Sequence, residues 1–192
     1  LLAPPRIAPI QTVVLVVRDD PATFERAQAI HEALLAAGIR SRLDQRTDQG
    51  FGRRVTDWEL KGVPVRVELG PRDLEAGVAT VIRRDTAEKR SVGLDRVHAA
   101  ISELLADIQT DVLARRRTEL QDRMVETTSI ETAREAARTG FARIPWSVLG
   151  PTGERSLNDD AITVRCLQTV DGAVPSTNTP ESDLFGVIAR SY

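Results

Sequence analysis

The sequence has one cysteine, few aromatic residues and no long hydrophobic run, and each shortage excludes a class of protein. A single thiol, Cys166, cannot form an internal disulfide, which agrees with a reducing compartment. Aromatic residues make up 4% of the chain, too few for broad stacking surfaces on single-stranded nucleic acid. The longest apolar run, Val13 to Val17, is far shorter than a membrane span, and no signal peptide is recognisable. We therefore expect a cytoplasmic protein without a membrane segment.

An excess of positive charge is also absent. With 26 Lys and Arg against 28 Asp and Glu, the net charge of −2 argues against nucleic-acid binding by bulk electrostatics alone. Residues 53–90 carry nine basic and seven acidic side chains, whereas residues 91–192 carry eleven and fifteen. The small positive excess therefore lies in the first half of the chain.

The sequence signatures of catalysis are missing as well. Neither a G-x-x-x-x-G-K-[ST] nor a G-x-G-x-x-G phosphate loop occurs. His31 and His98 have no Cys or carboxylate partner at metal-ligand spacing. Cys166 alternates with Ile162 and Val164, which predicts a small core residue rather than a nucleophile. We expect neither a catalytic constellation nor a bound metal.

The hydrophobic pattern of the first half predicts an α/β fold with a mixed sheet. The apolar run at residues 10–17 indicates a buried strand, and Asp20 followed by Pro21 predicts the start of a helix that ends at Gly38. The remaining predicted elements are strands at 39–44, 63–69 and 77–84, a short helix at 53–60, and a hairpin turn "DTAE" that leads into "KRSVGL".

The second half predicts a helical connection and a small α/β domain. A long helix from Asp95 to about Met124 loses its apolar stripe toward "ARRRTELQDR", which favours a bridge between domains. Ser129 and Gly140 are typical first and last signals of a second helix. Three strand candidates follow: "GFARIPWSVLG", "AITVRCLQ" and "DLFGVIARSY". We predict domains at 10–110 and 140–192, a helical connection at 111–139, and a linker at 1–9 that continues from a larger chain.

The stretch "ELKGVPVRVELGPRD", residues 59–73, combines a strand with an unusual density of charge. Alternation places four apolar side chains on one face and Arg66 and Glu68 on the other. Six charges of both signs surround the strand and its Gly70-Pro71 exit turn. The residues alone leave two interpretations open, a solvated surface with ion pairs such as Arg66 with Glu68, or a recognition surface.

The longer motif "DWELKGVPVRVELGPRDLEAG" closely resembles the anticodon-binding domain of class II aminoacyl-tRNA synthetases. The sequence of this motif is similar to that of prolyl-tRNA synthetases of the archaeal and eukaryotic-like type. The proline-bearing start, the "RRDTAEK" that follows the motif, the long helix and the small domain ending in tyrosine agree, so the resemblance covers essentially all 192 residues. Threonyl-, glycyl- and histidyl-tRNA synthetases share the fold, but their sequences resemble this motif less closely.

The resemblance implies a function for the charges, because in that family the domain reads the guanines of the proline anticodon. A carboxylate can accept from N1 and N2 of guanine, whereas Arg and Lys donate to its O6 and N7. Glu59 and Asp73 are the expected carboxylate readers. Arg66, Arg72 and Lys89 are the expected donors or phosphate contacts.

The resemblance also implies partners and cofactors. The parent enzyme would ligate proline to tRNA(Pro) with ATP and Mg, as a homodimer, and DNA is not an expected partner. This segment would contact the parent's catalytic domain, and Tyr192 with its carboxylate would reach toward the aminoacylation site. No class II motif arginines and no ATP or proline pocket can be placed on the chain, so we expect no cofactor and no catalysis in the segment itself. Family members commonly bind zinc through four cysteines in the small domain, whereas here Cys166 stands alone and Ser147 occupies a position where another cysteine could be expected.

Two other functions compete with this interpretation. One is a stand-alone accessory or regulatory RNA-binding protein that reuses the anticodon-binding fold. The other is a small-molecule-binding α/β domain, against which the lack of a glycine-rich phosphate loop argues.

Overall fold

A computed structural model describes residues 2–191, which divide into two units at Ala114 and Arg115. The boundary lies four residues beyond the expected end of the first domain at residue 110. Residues 115–139, expected as part of a connection, belong to the second unit. Within residues 2–191, no helix is long and apolar enough to cross a membrane.

The first unit contains a five-stranded mixed sheet in the order β2-β1-β3-β4-β5. Strand β1 runs parallel to β2 and β3, whereas β4 and β5 continue the sheet in antiparallel pairs. The elements are β1 (Thr12–Val16), α1 (Pro21–Ala36), β2 (Ser41–Asp44), α2 (Phe51–Leu60), β3 (Val65–Leu69), α3 (Pro71–Glu75), β4 (Val78–Arg83), β5 (Lys89–Gly93) and α4 (Val97–Asp122). These elements confirm the predicted mixed α/β fold.

Local signals set the bounds of α1 as predicted. The Asp20 carboxylate accepts a hydrogen bond from the Thr23 amide at 2.8 Å, Pro21 occupies the first helical position, and Gly38 adopts a φ of +76° just beyond the helix. The expected Gly70-Pro71 turn is instead the start of α3, because the Asp73 carboxylate accepts from the Gly70 amide at 2.9 Å and stabilises a helical turn.

The two faces of the first sheet are packed differently, and this difference positions the candidate site. One face carries the main core, in which β1, β3 and β4 pack against α1 and α4. On the other face Val13 and Leu15 of β1 pack with Trp58 of α2. Strand alternation puts Arg66 and Glu68 on that second face, and Arg66 pairs there with Glu59 of α2.

Residues 2–8 pack against the rest of the first unit and form hydrogen bonds with it. The Arg40 guanidinium donates to the Ala8 and Pro5 carbonyls, each at 2.9 Å, and the Ala3 amide donates to the Gly62 carbonyl at 3.2 Å. Leu2 packs against the main core. The segment predicted as a linker therefore makes specific contacts with the folded unit.

The second unit contains a four-stranded sheet in the order β6-β7-β9-β8. Its elements are β6 (Met124–Glu126), α5 (Ile130–Ala137), β7 (Phe141–Pro145), α6 (Trp146–Leu157), β8 (Ile162–Gln168) and β9 (Phe185–Arg190). Strand β6 is parallel to β7, whereas β9 is antiparallel to both β7 and β8. Both helices contribute to a core that includes Ala133, Leu149 and Ile188.

Three features of the second unit differ from the sequence predictions. Strand β6 was expected as part of the helical connection, and "GFARIPWSVLG" was expected as one strand, but its end forms α6, which is kinked at Gly150 (φ +52°) ahead of Pro151. The prediction that Cys166 is a core residue was wrong. A β-bulge between Val164 and Cys166 interrupts the alternation, so the thiol is exposed.

Candidate nucleic-acid interface

Three of the five predicted contact residues line one small cavity in the first unit. Glu59 comes from the last turn of α2, Arg66 from the middle of β3 and Lys89 from the start of β5. Trp58 and Ile82 are among the other lining residues. The cavity holds about 90 Å³, well below the roughly 300–1,000 Å³ of a typical ligand site. It can therefore receive the edge of a base rather than a whole nucleotide.

An ion-pair network organises the acidic side of this cavity. The Arg66 guanidinium contacts Glu59 Oε1 through Nη1 at 3.2 Å and Glu68 Oε1 through Nε at 2.8 Å. The Arg66 and Glu68 side chains are 14% and 16% exposed, whereas Glu59 is 35% exposed. The expected Arg66–Glu68 pair is thus present, but Arg66 also holds the more exposed Glu59 carboxylate in place.

The chemistry of the cavity is mixed in sign. Glu59 contributes an acceptor, Lys89 is exposed and contributes an ammonium donor, and Ile82 adds a buried apolar surface. An acceptor beside a donor is complementary to a base edge that itself presents donors and acceptors. Such an arrangement can distinguish bases, whereas a purely basic surface would bind phosphates without regard to sequence.

Arg72 and Asp73 are not among the residues that line this cavity. Both belong to α3, at the end of β3, and Arg72 is exposed. Asp73 has a structural role, because Oδ2 accepts from the Gly70 amide and Oδ1 accepts from Thr80 Oγ1 at 3.4 Å. The five predicted residues therefore divide between the cavity and the end of the strand.

A buried ionic cluster that the sequence analysis missed anchors α2. Asp44, the last residue of β2, has a fully buried side chain that accepts from Trp58 Nε1 at 2.5 Å and from Arg46 Nη2 at 2.8 Å. Arg54, 1% exposed, lies 3.5 Å from Asp44 and donates to the Val16 carbonyl at 2.8 Å. Because Trp58 precedes Glu59 in the same helical turn, the Asp44 cluster also positions the Glu59 carboxylate.

The electrostatics of Asp44 follow from these contacts. Burial by itself would raise the pKa of the Asp44 carboxyl, but hydrogen bonds from Arg46 and Trp58 outweigh burial and hold the pKa well below its usual range. Asp44 is therefore a permanently charged anchor at neutral pH. Its sequence signal was an aspartate at the end of a strand, ahead of a helix that carries arginine and tryptophan.

A second cluster fixes the turn that leads to Lys89. Arg83, at the end of β4, donates to Asp85 in the turn at 2.6 Å and to Asp111 of α4 at 2.6 Å. Its hydrogen bond to Asp85 raises the pKa of the Arg83 guanidinium further, so the group stays charged. Ala87 completes the turn with a φ of +58°.

His31 Nδ1 lies 2.9 Å from Ser41 Oγ. Among residues 2–191, no group of three His, Cys, Asp or Glu side chains is placed to hold a metal ion, and the lone, exposed Cys166 does not fit a zinc site. Tyr192 lies outside the described residues.

Comparison with known proteins gives consistent matches. The family model described as "Anticodon binding domain" matches residues 11–104. A proline–tRNA ligase of Frankia alni is 49% identical over 192 residues, which is all of this chain and 41% of the relative, and proline–tRNA ligase 2 of Streptomyces avermitilis is 45% identical over 193 residues, again 41% of its length. A crystal structure of prolyl-tRNA synthetase from Cryptosporidium parvum, complexed with L-proline and AMP, superposes with a TM-score of 0.84 at 20% identity, covering all of this chain and 43% of that one.

The first unit is therefore an anticodon-binding domain by its family match over residues 11–104. Over its full length the chain is homologous to a segment of the proline–tRNA ligases. It spans about 41% of the length of these relatives.

Proposed function

We propose that the chain recognises the anticodon loop of proline tRNA as part of a proline–tRNA ligase. The parent enzyme would use ATP and Mg to ligate proline to its tRNA in the cytoplasm, acting as a homodimer. Support comes from relatives of that name that align along the whole chain and from the solved relative that holds proline and AMP. This agreement along the whole chain disfavours a stand-alone accessory protein.

The observation that carries this proposal is that the Glu59 carboxylate, oriented by Arg66, and the Lys89 ammonium line the same cavity, which has room for one edge of a base. Glu59 would accept from N1 and N2 of an anticodon guanine, and Lys89 would donate to O6 or N7. Arg66 would act by orienting Glu59, because its guanidinium is already engaged by two carboxylates. Because Arg66 is only 14% exposed, orientation suits it better than phosphate binding.

Arg72 and Asp73 would extend the interface beyond the cavity. Arg72 is exposed and suits a phosphate contact, which contributes affinity without base choice. Asp73 would serve as a second carboxylate reader while it keeps α3 in place, since each carboxylate oxygen can accept more than one hydrogen bond. In the parent enzyme, Tyr192 and its carboxylate would approach the aminoacylation site.

The test is a titration of the chain with short anticodon stem-loops. One loop carries the two guanines of the proline anticodon, a second replaces them by adenine, and a third replaces them by inosine, which lacks only the N2 amino group. The wild-type chain should prefer the guanine loop, and Glu59→Gln should lose about 1–3 kcal/mol on that loop. The loss should be smaller on the inosine loop, which keeps the N1–H donor, and there should be little change on the adenine loop. Arg72→Ala should weaken all loops more evenly.

Glu75→Gln is the matched control, because it makes the same chemical change at an exposed position of α3. It should leave both affinity and base choice unchanged. Equal affinity of the wild-type chain for loops with and without guanine would exclude a reading role for this cavity.

A further inference from the structure

The second unit contains a cavity of about 1010 Å³ that the proposed anticodon site does not explain. We call it the basic cavity, because four arginines line it: Arg123, Arg138, Arg165 and Arg190. Arg123 precedes β6, Arg138 follows α5, Arg165 lies on β8 and Arg190 ends β9. The four arginines come from separate segments of the chain and are brought together by the fold. They do not form a basic run in the sequence that would predict the cavity.

The concentration of positive charge contrasts with the rest of the unit. Residues 115–192 carry ten basic and eleven acidic side chains, so the unit as a whole is slightly negative. None of the described residues that line the basic cavity is acidic. Four of the ten basic side chains of a negative unit therefore converge on one cavity, which creates a local positive potential.

Two of the four guanidinium groups, those of Arg123 and Arg165, donate to backbone carbonyls. Arg123 donates to the Thr139 carbonyl at 2.7 Å, and Arg165 donates to the Arg190 carbonyl. Within residues 2–191, Arg138 is the one of the four that pairs with carboxylates, at 3.3 Å from Glu135 and 3.7 Å from Asp160, and neither carboxylate lines the cavity. Because carbonyl partners leave the positive charge in place, the remaining donors suit an anionic ligand.

The cavity also offers an aromatic surface and small polar groups. Phe141, the first residue of β7, is half-buried in the lining, and Ser191 and Thr139 add polar atoms. Guanidinium groups beside an aromatic ring are the combination that binds single-stranded nucleic acid, with phosphates on the cations and a base on the ring. The volume lies at the upper end of ligand sites, which is enough for more than a single small anion.

We propose that the basic cavity binds the phosphodiester backbone of single-stranded RNA, with one base packed against Phe141. This site lies in the second unit and is additional to the anticodon cavity. It is sequence-independent, because arginines that contact phosphates carry no information about the bases. Its contribution therefore adds affinity rather than base choice.

The test uses the whole chain and a fluorescent oligoadenylate of eight nucleotides. This probe contains no guanine that the cavity lined by Glu59 and Lys89 could recognise. Arg165→Ala together with Arg190→Ala should weaken binding about tenfold or more at low salt, the change expected from loss of a charge-assisted hydrogen bond. The slope of log affinity against log salt should fall by about 0.7 for each lost phosphate contact. Arg190→Ala alone, which removes an exposed side chain, repeats the test if the double variant folds poorly.

The matched control is Arg116→Ala together with Arg155→Ala, two exposed arginines of the same unit outside the cavity. An equal loss in this control would show a bulk charge effect and overturn the proposal, as would unchanged affinity and salt slope in the cavity variant. If inorganic phosphate or AMP displaces the oligonucleotide at a concentration equal to the Kd of the oligonucleotide, the site binds small anions and the RNA proposal fails. Glu59→Gln should leave oligoadenylate binding unchanged, so failure of the anticodon proposal can be distinguished from failure of this one.

Discussion

Removal of the Asp44 carboxylate should be among the most damaging single changes in the first unit. The Asp44 side chain is fully buried and Arg54 is 1% exposed, so Asp44→Ala leaves a buried guanidinium without its carboxylate and Trp58 Nε1 without its acceptor. Breaking a buried ion pair from one side costs about 3–5 kcal/mol. Asp44→Asn keeps an acceptor for Trp58 and should cost less, about 1–3 kcal/mol.

The assay is urea denaturation followed by tryptophan fluorescence. The chain has two tryptophans, so a Trp146→Phe background leaves Trp58 as the reporter of the first unit. Adding Arg54→Met to Asp44→Ala should recover part of the lost stability, because no unpaired buried charge then remains. Asp48→Ala, at an exposed position, should stay within about 0.5 kcal/mol of wild type. A loss below about 1 kcal/mol in Asp44→Ala, or no recovery in the double variant, would refute the proposed anchoring role.

Further predictions concern acid stability and glycine geometry. The pKa of Asp44 is lowered in the folded chain, whereas an unfolded aspartate titrates near 3.9, so its stabilisation is present above about pH 4 and is lost as the pH falls below that value. Urea unfolding between pH 6 and pH 2.5 should therefore show a shallower acid loss in Asp44→Asn than in wild type, and parallel curves would contradict this. Gly140→Ala should destabilise the second unit by about 1–3 kcal/mol, because the new Cβ would lie 2.5 Å from the Arg123 carbonyl oxygen. Gly52→Ala should instead stabilise α2 by about 0.5–1 kcal/mol in thermal unfolding, since nothing lies within 4 Å of its Cβ position; equal effects of the two changes would show that the close approach is unimportant.

Much of the fold was predictable because its signals are local. The Asp20 cap, the Gly38 stop and the Ser129 cap act within one helical turn, and each bounds a helix as the sequence indicates. The alternation of β3 likewise separates a buried face from Arg66 and Glu68 without reference to any other segment. Where local signals weaken, the predictions fail. Tertiary pairing formed β6, and a bulge in β8 exposed Cys166.

Most of the charged residue types of the candidate site lie in the stretch at residues 59–73, so the sequence by itself determined much of the chemistry that the first unit can offer. Only the tertiary structure decided which of those residues act together. Glu59 and Lys89 are 30 positions apart and meet at one cavity because β3, β4 and β5 pair side by side. Asp44 and Trp58, 14 positions apart, meet because α2 packs back on the sheet, and no local pattern encodes that contact. The physical reason is that charge and hydrogen-bond partners of buried groups depend on the packing of distant segments, whereas caps and strand faces depend on their neighbours in sequence.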